Sequence, residues 1–265
     1  MAPYIYKMLL INPNSSEEMT ENLEPLITEY PSNTIIDSFT APRSAPKSIN
    51  NEKDALESAN IVFPEILQFI KQQKYDGYLV ACYSLHPLVD MIREAVPRGV
   101  YVTGIFEASI TTALTLTPTP HLKADVKQKT TFGIVTTGTA WEKLLAAGVL
   151  RVVGLGEMAH ATRFKGVEST GLNADELHTA PKEVVTTKMK DATKRLVRDN
   201  DVRVICLGCA GMSGLDRIVT EALIEELGEK DAKEVYVLDG VKAGIGMLEN
   251  MFRSLPGSKT EWGLE

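Results

Sequence analysis

Cysteine is scarce here: Cys82, Cys206 and Cys209 are the three in a chain of 265 residues. So small and odd a number argues against the disulfide framework that staples small secreted domains. Cys206-Leu207-Gly208-Cys209 is a single CxxC spacing with no second one to complete it, there is no HExxH run, and the four histidines are scattered, so the spacings that build a structural metal site are incomplete. No apolar run approaches the roughly 18 residues needed to span a bilayer. The opening Met1-Ala2-Pro3-Tyr4-Ile5-Tyr6-Lys7 lacks the charged head, apolar core and small-residue cleavage site of a secretory signal. Positive charge is in deficit, with 28 Lys and Arg against 35 Asp and Glu, a net charge of −7. That balance disfavours nucleic acid or an anionic membrane as the main partner. The expectation is a cytoplasmic protein with reduced thiols and a small-molecule substrate, with self-association into a homo-oligomer left open.

What the chain does have is alternation. Hydrophobic residues make up 44% and charged ones 24%, the balance of a soluble globular protein, and the length suits one large or two modest domains. Short β-rich runs alternate with longer amphipathic stretches, the signature of parallel βα units. Strands are predicted over 7–11, 34–39, 77–81 and 100–104, and helices over 17–30, 50–73, 87–95 and 106–116. Ser15 or Ser16 supplies an N-cap ahead of Glu17 and Glu18, and Pro87 suits the first turn of its helix. Thr117-Pro118-Thr119-Pro120 reads as a crossing between lobes. The pattern then restarts, with strands over 131–135, around Val152, over 202–207 and over 234–238. Helices are predicted over 140–147, 181–199 and 213–228, with a last one from Asp239-Gly240 to Arg253. The weakly patterned stretch 156–180 reads as a loop that covers a site. The expected organisation is lobe 1 over 1–117, completed by the helix 239–253, lobe 2 over 118–238, and a flexible tail over 254–265.

The two halves repeat. A strand ending in Asn12-Pro13-Asn14 matches one ending in Thr136-Thr137-Gly138 about 124 residues later, and a strand ending in Cys82 matches one ending in Cys209 about 127 later. The fold class is therefore α/β, with two pseudo-symmetric lobes, each a mostly parallel sheet flanked by helices. Ligands of open α/β sheets bind beyond the carboxyl ends of the strands, so the active site is expected in the cleft between the lobes. The run Val204-Ile205-Cys206-Leu207-Gly208-Cys209-Ala210-Gly211-Met212 places Cys206 inside a buried strand as a packing residue. Cys209 falls between a strand end and a helix N-terminus, where amide N–H groups and the helix dipole lower a thiol from its ordinary value of about 8.5.

Two such cysteines can move a proton. A thiolate on one face of an acidic carbon removes its hydrogen, and a thiol on the other face returns one with inverted configuration. The developing enolate needs hydrogen-bond donors, available from helix N-terminal amides and from Asn14, Ser84, Thr136 and Thr137. No cofactor is needed if the carbon acid is activated enough.

The strand into Asn-Pro-Asn-Ser-Ser, the Ala81-Cys82 pair, Val-Thr-Thr-Gly at 135–138 and Leu-Gly-Cys-Ala-Gly-Met at 207–212 together resemble the aspartate/glutamate/hydantoin racemase superfamily. The hydantoin and allantoin racemase branch fits best, and the resemblance spans 7–253. It implies Cys82 and Cys209 as the acid–base pair in a cofactor-free, metal-independent mechanism. It also implies that Asn14, Thr136 and the amides after each cysteine, including those of Ala210 and Gly211, hold the substrate's oxygens. One departure concerns the acidic residue and proline that usually follow the first cysteine soon after it. Here the run is Cys82-Tyr83-Ser84-Leu85-His86-Pro87, with no acid, and Tyr83 or His86 is placed to reshape the pocket.

The expected activity is that of an isomerase racemising a 5-substituted hydantoin or allantoin first, an amino acid second. The C5 proton of a hydantoin lies between a carbonyl and a ring nitrogen, which makes it acidic enough for a thiolate. Rivals within the superfamily are a decarboxylase, which tends to keep one catalytic cysteine, and a cis–trans isomerase using one thiol as nucleophile. A non-catalytic two-lobed sensor would survive loss of both thiols. A thiol redox enzyme is disfavoured, because cysteines facing across a substrate stand too far apart to bond. Plainer roles also exist: Asn12 and Asn14 as turn formers, Thr136 and Thr137 as caps, His86 as a surface or capping residue, Glu107 as a dipole partner, Trp141 and Trp262 as packing and tail.

Overall fold

Residues 5–28, 34–118, 129–155 and 163–255 are described in the computed structural model of the chain. They divide into two compact units, one running to Ile105 and resuming at Val241, the other Phe106–Gly240. The first unit contains β1 (Tyr6–Asn12), α1 (Glu17–Glu21), α2 (Glu24–Thr28), β2 (Thr34–Thr40), α3 (Glu52–Lys71), β3 (Gly77–Val80), α4 (Pro87–Ala95) and β4 (Tyr101–Gly104). Next comes α5 (Ile105–Leu116), followed by β5 (Thr131–Thr136), α6 (Ala140–Val152), β6 (Phe164–Ser169), α7 (Glu176–Thr179) and α8 (Lys182–Val197). Then come β7 (Val202–Gly208), a 3₁₀ turn (Ala210–Met212), α9 (Asp216–Ala232), β8 (Tyr236–Asp239) and α10 (Gly240–Ser254), which belongs to the first unit almost throughout.

Among the described residues there are two four-stranded sheets, ordered β2-β1-β3-β4 and β6-β5-β7-β8, with every pair parallel. Replacing each strand of the first order by the one four places later gives the second. The repeat in the sequence is thus a repeat in topology. Inner strands of parallel sheets are covered on both faces, which is why β3 and β5 are buried along their whole length. In the first unit Leu9, Ile11, Tyr78 and Val80 pack with Val62 and Ile66 of α3 and Leu88 and Ile92 of α4. Successive strand residues point to opposite faces, so Leu79 turns the other way, toward α10. Gly244 of α10 makes room for it, since a Cβ there would lie 2.5 Å from Leu79 Cδ1. In the second unit Val135, Ile205 and Leu207 pack with Val185, Met189, Ala192 and Leu196 of α8 and Val219 and Leu223 of α9.

The structure departs from the sequence expectation in places with clear causes. The helix expected over 17–30 is two short ones, α1 and α2. Pro25 lacks an N–H and its ring crowds the carbonyl four residues back, which favours a break just ahead of it. No strand forms at Val152, which is the last residue of α6. The strand beside β5 is β6, inside the stretch read as a loop. It hid because it is a partly buried strand with Lys165, Glu168 and Ser169 in it, and its register shifts at Gly166, where φ is +136°. The units exchange at Ile105, ahead of the Thr117-Pro118 boundary read from the sequence. Arg163 Nη1 donates to the carbonyls of Leu114 (3.0 Å) and Thr117 (3.3 Å), which ties the end of α5 to the second unit. The expectation of a tail over 254–265 falls outside the described residues beyond Leu255, as does that of a covering loop over 156–162. Among the described residues no helix is long and apolar enough to cross a membrane.

Candidate active site

In each unit the residues singled out from the sequence sit at the carboxyl ends of strands. The first unit builds its part on Asn12, the last residue of β1 and only 2% exposed. Its Nδ2 donates to Asn14 Oδ1 (3.1 Å), the Ser16 carbonyl (3.0 Å) and Thr20 Oγ1 (3.0 Å), while its Oδ1 accepts from the Asn14 amide (3.2 Å). Ser58 Oγ of α3 donates to the Pro13 carbonyl at 2.6 Å and fixes the loop from below. Asn12 is therefore the frame, and Asn14 is what the frame presents. Asn14 Oδ1 is used by Asn12 and by the Ser16 amide (3.0 Å), but its Nδ2 meets only the thioether of Met19, a weak acceptor. That leaves a donor for an oxygen of a ligand. Replacing Asn12 by alanine strips several buried groups of partners at once, and is expected to cost about 1–3 kcal/mol in a denaturant titration.

Cys82 follows β3 and is partly exposed, with its Sγ 3.5 Å from Ser84 Oγ. The chain then turns tightly, the Ser84 amide donating to the Cys82 carbonyl (3.0 Å) and the His86 amide to the Ser84 carbonyl (2.8 Å). His86 is the N-cap of α4: its Nδ1 accepts from the Leu88 amide at 3.3 Å, so the proton of the neutral ring is on Nε2. That Nε2 is buried and has no hydrogen-bond partner among the described residues. Burial pushes the His86 pKa down to about 4. His86 is a neutral cap, and Tyr83 is likewise packed inside, which accounts for the unusual run after Cys82 as local architecture. The consequence for stability has a definite sign. The unfolded chain takes up a proton at this residue near pH 6.5 and the folded one only near pH 4, so stability is full above about 6.5 and is lost as pH falls between these values. The loss is on the order of a few kcal/mol. His86→Asn keeps a capping group without the titration, and is expected to flatten that stretch of a stability-versus-pH curve.

In the second unit Thr136 ends β5 fully buried, and its Oγ1 donates to the Gly208 carbonyl of β7 at 2.8 Å. The hydroxyl proton expected for a ligand is used inside the sheet. Thr137 is different: its carbonyl accepts from the Gly171 amide (3.0 Å) and Thr170 Oγ1 (3.3 Å), while its hydroxyl has no partner among the described residues. Cys209 follows β7 in extended conformation (φ −159°, ψ 140°) and heads the 3₁₀ turn whose amides belong to Ala210, Gly211 and Met212. It is partly exposed, whereas Cys206 is fully buried in the strand. The sequence reading put the Cys209 thiol below its ordinary value; here burial pushes it up to about 11, and the amides of Gly211 and Met212 pull it down only in part. A single turn of 3₁₀ helix stands where a long helix N-terminus is expected, because α9 begins at Asp216. The dipole that would lower the thiol is correspondingly smaller.

One neighbour escaped the sequence reading. The Cβ that Gly211 lacks would lie 3.2 Å from His178 Nε2 and 3.6 Å from Cys209 Sγ, so α7 brings an imidazole to the cysteine. No spacing or motif marks His178; it lies in the stretch read as a loop. Among the described residues no cluster of three or more His, Cys, Asp and Glu is placed to hold a metal ion.

Two parallel α/β sheets of one topology, each delivering a partly exposed cysteine from the end of its third strand, define a class of protein, and the comparisons name it. The chain belongs to the Asp/Glu/Hydantoin racemase family, whose model matches residues 8–248. It is 32% identical to protein C1F7.10 of Schizosaccharomyces pombe over 93% of this chain and 92% of that one. It is 28% identical to a hydantoin racemase of Paenarthrobacter aurescens, over 92% of this chain and 90% of the other. The structure of an allantoin racemase from Klebsiella pneumoniae superposes with a TM-score of 0.71 at 25% identity, covering 93% of this chain and 87% of that one.

Proposed function

We propose that the chain is a cofactor-independent racemase of a small nitrogen-containing carbon acid, a 5-substituted hydantoin or allantoin, working with Cys82 and Cys209 as a two-base pair. The observation that carries this is the equivalence of the two thiols. Each follows the third strand of its sheet and is partly exposed, while the one cysteine inside a strand is sealed in the core. Two-base inversion asks for one thiol on each face of a carbon, and each unit supplies one. Kinship with hydantoin and allantoin racemases supports the substrate class.

In this reading Cys209 starts as the proton donor, since burial holds its thiol protonated at neutral pH. Cys82 takes the hydrogen from the stereocentre, the electron pair moves into the adjacent carbonyl as an enolate, and Cys209 delivers its proton to the opposite face. The reverse substrate needs Cys209 as thiolate. Asn14 Nδ2, Ser84 Oγ, Thr137 Oγ1 and the amide of Ala210 are the donors assigned to the substrate's oxygens, while the Gly211 amide serves the Cys209 sulfur and Thr136 holds the Gly208 carbonyl beneath them.

The test is incubation of enantiopure 5-substituted hydantoins, allantoin, aspartate and glutamate in deuterated water. Racemisation of a hydantoin or allantoin, with one deuterium per turnover at the stereocentre, is the expected result. Racemisation without deuterium, or turnover confined to the amino acids, sinks the reading.

A further inference from the structure

The sequence suggests no helper for Cys209, yet a thiol pushed up by the protein around it, with backbone amides as its hydrogen-bond donors, is a poor base. His178 is the side chain that meets this need. Its Nε2 and Cys209 Sγ both border the space above the Gly211 Cα, at 3.2 Å and 3.6 Å from the same point, so they are no farther apart than those two distances joined. One bridging water between them fits that span. The glycine is what allows it: any side chain at 211 would fill the space the two groups share. Leu177, the residue before, borders the same space at 3.5 Å and, clustered with Met212, anchors α7 to the turn.

We propose that His178 is a positioning residue for Cys209: in the direction of reaction that needs Cys209 as base, it takes the thiol proton onto Nε2, so that sulfur keeps the electron pair as thiolate beside an imidazolium. This deepens the assignment of Cys209 as an acid–base group and rests on it. The step is a proton transfer alone; no bond to carbon forms and nothing is oxidised. An imidazole can accept such a proton and then hold the thiolate by charge. Other charged groups nearby do not compete for this role. Glu176 of α7 turns its Oε2 to the Asn173 amide at 2.6 Å. Asp175 precedes α7 on the exposed side and Asp216 opens α9 on the surface. Asp239 ends β8 beside Leu207, two residues before the cysteine, and as an anion it would oppose a thiolate rather than support one. His178 is thus the cation source within reach.

The experiment reads the thiol itself, so it does not depend on the substrate being right. In the full chain carrying Cys82→Ser, Cys209 is the accessible thiol, Cys206 being sealed. Its rate of alkylation by iodoacetamide is followed by intact mass from about pH 5 upward until the rate levels off. His178→Gln is expected to move the midpoint up by about one pH unit or more and to lower the rate at neutral pH by on the order of tenfold, with the high-pH plateau unchanged. His178→Asn, a second non-titrating side chain, is expected to repeat the shift. An unmoved midpoint in both variants overturns the proposal, as does a fall in plateau rate with the midpoint fixed, which marks a packing role. If racemisation fails on every substrate while the midpoint still shifts, the fault lies with the racemase assignment and not with the His178–Cys209 pair.

Discussion

Cys82→Ser and Cys209→Ser are each expected to lower racemisation by at least about a thousandfold, the scale on which a positioned acid or base contributes. A serine hydroxyl is far too weak an acid to replace a thiol in either role at neutral pH. The two losses have different signatures. A variant that keeps one thiol can still exchange the hydrogen on the face that thiol reaches, so each should wash deuterium into one enantiomer without inverting it. Cys206→Ser serves as the control. That residue is fully buried in β7, so its replacement is expected to cost stability, about 1–3 kcal/mol for a buried polar group, and to leave racemisation within a few-fold of the parent. Chiral chromatography and mass measurement of the recovered substrate read both quantities together. Parental racemisation rates in both catalytic variants would rule out two-base thiol chemistry.

That prediction rests on a part of the molecule that the sequence described well. The strands leading to Asn12, Cys82, Thr136 and Cys209 are short apolar runs, and parallel strands buried on both faces write themselves as such runs. Their ends were legible because Asn, Pro, Gly, Ser and Thr interrupt the apolar run sharply. What the sequence concealed depends on neighbours far along the chain. β6 is an edge strand whose polar residues pair elsewhere, Lys165 with Asp199 and Asp201, Glu168 with Arg195, so no apolar alternation exposes it. The level of the Cys209 thiol depends on how much protein closes around it, and no local pattern reports that. His86 looked like a possible reshaper of the pocket; only the burial of its ring and the bond from the Leu88 amide make it a cap. His178 has no local signature at all, because its meeting with Cys209 is made by α7 folding back onto the 3₁₀ turn.

Gly208→Ala is expected to cost both stability and activity, because the added methyl group would meet backbone as well as side chain. Gly208 is the last residue of β7, paired in register with Thr136 of β5, and Cys209 follows it directly. A Cβ at 208 would come within 2.7 Å of Ile134 Cγ2, 2.8 Å of the Val135 carbonyl oxygen and 2.9 Å of Thr136 Cβ. A flexible side chain could step aside, but a backbone carbonyl and a β-carbon in the fully buried strand β5 cannot move without the strand. The relief available is to separate the ends of β5 and β7, which breaks the bond from Thr136 Oγ1 to the Gly208 carbonyl. Overpacking of this kind costs about 1–3 kcal/mol, and the lost hydrogen bond adds about 1 kcal/mol more. The same displacement carries Cys209 and the amides of Gly211 and Met212 out of place, so racemisation should fall by on the order of a hundredfold in whatever fraction remains folded. Thr136→Val separates the two contributions, because it removes the hydroxyl while adding no bulk at 208. It should lower stability by about 1 kcal/mol and leave racemisation within about tenfold of the parent. Equal losses in the two variants would mean that the latch, and not the room at Gly208, sets the position of Cys209.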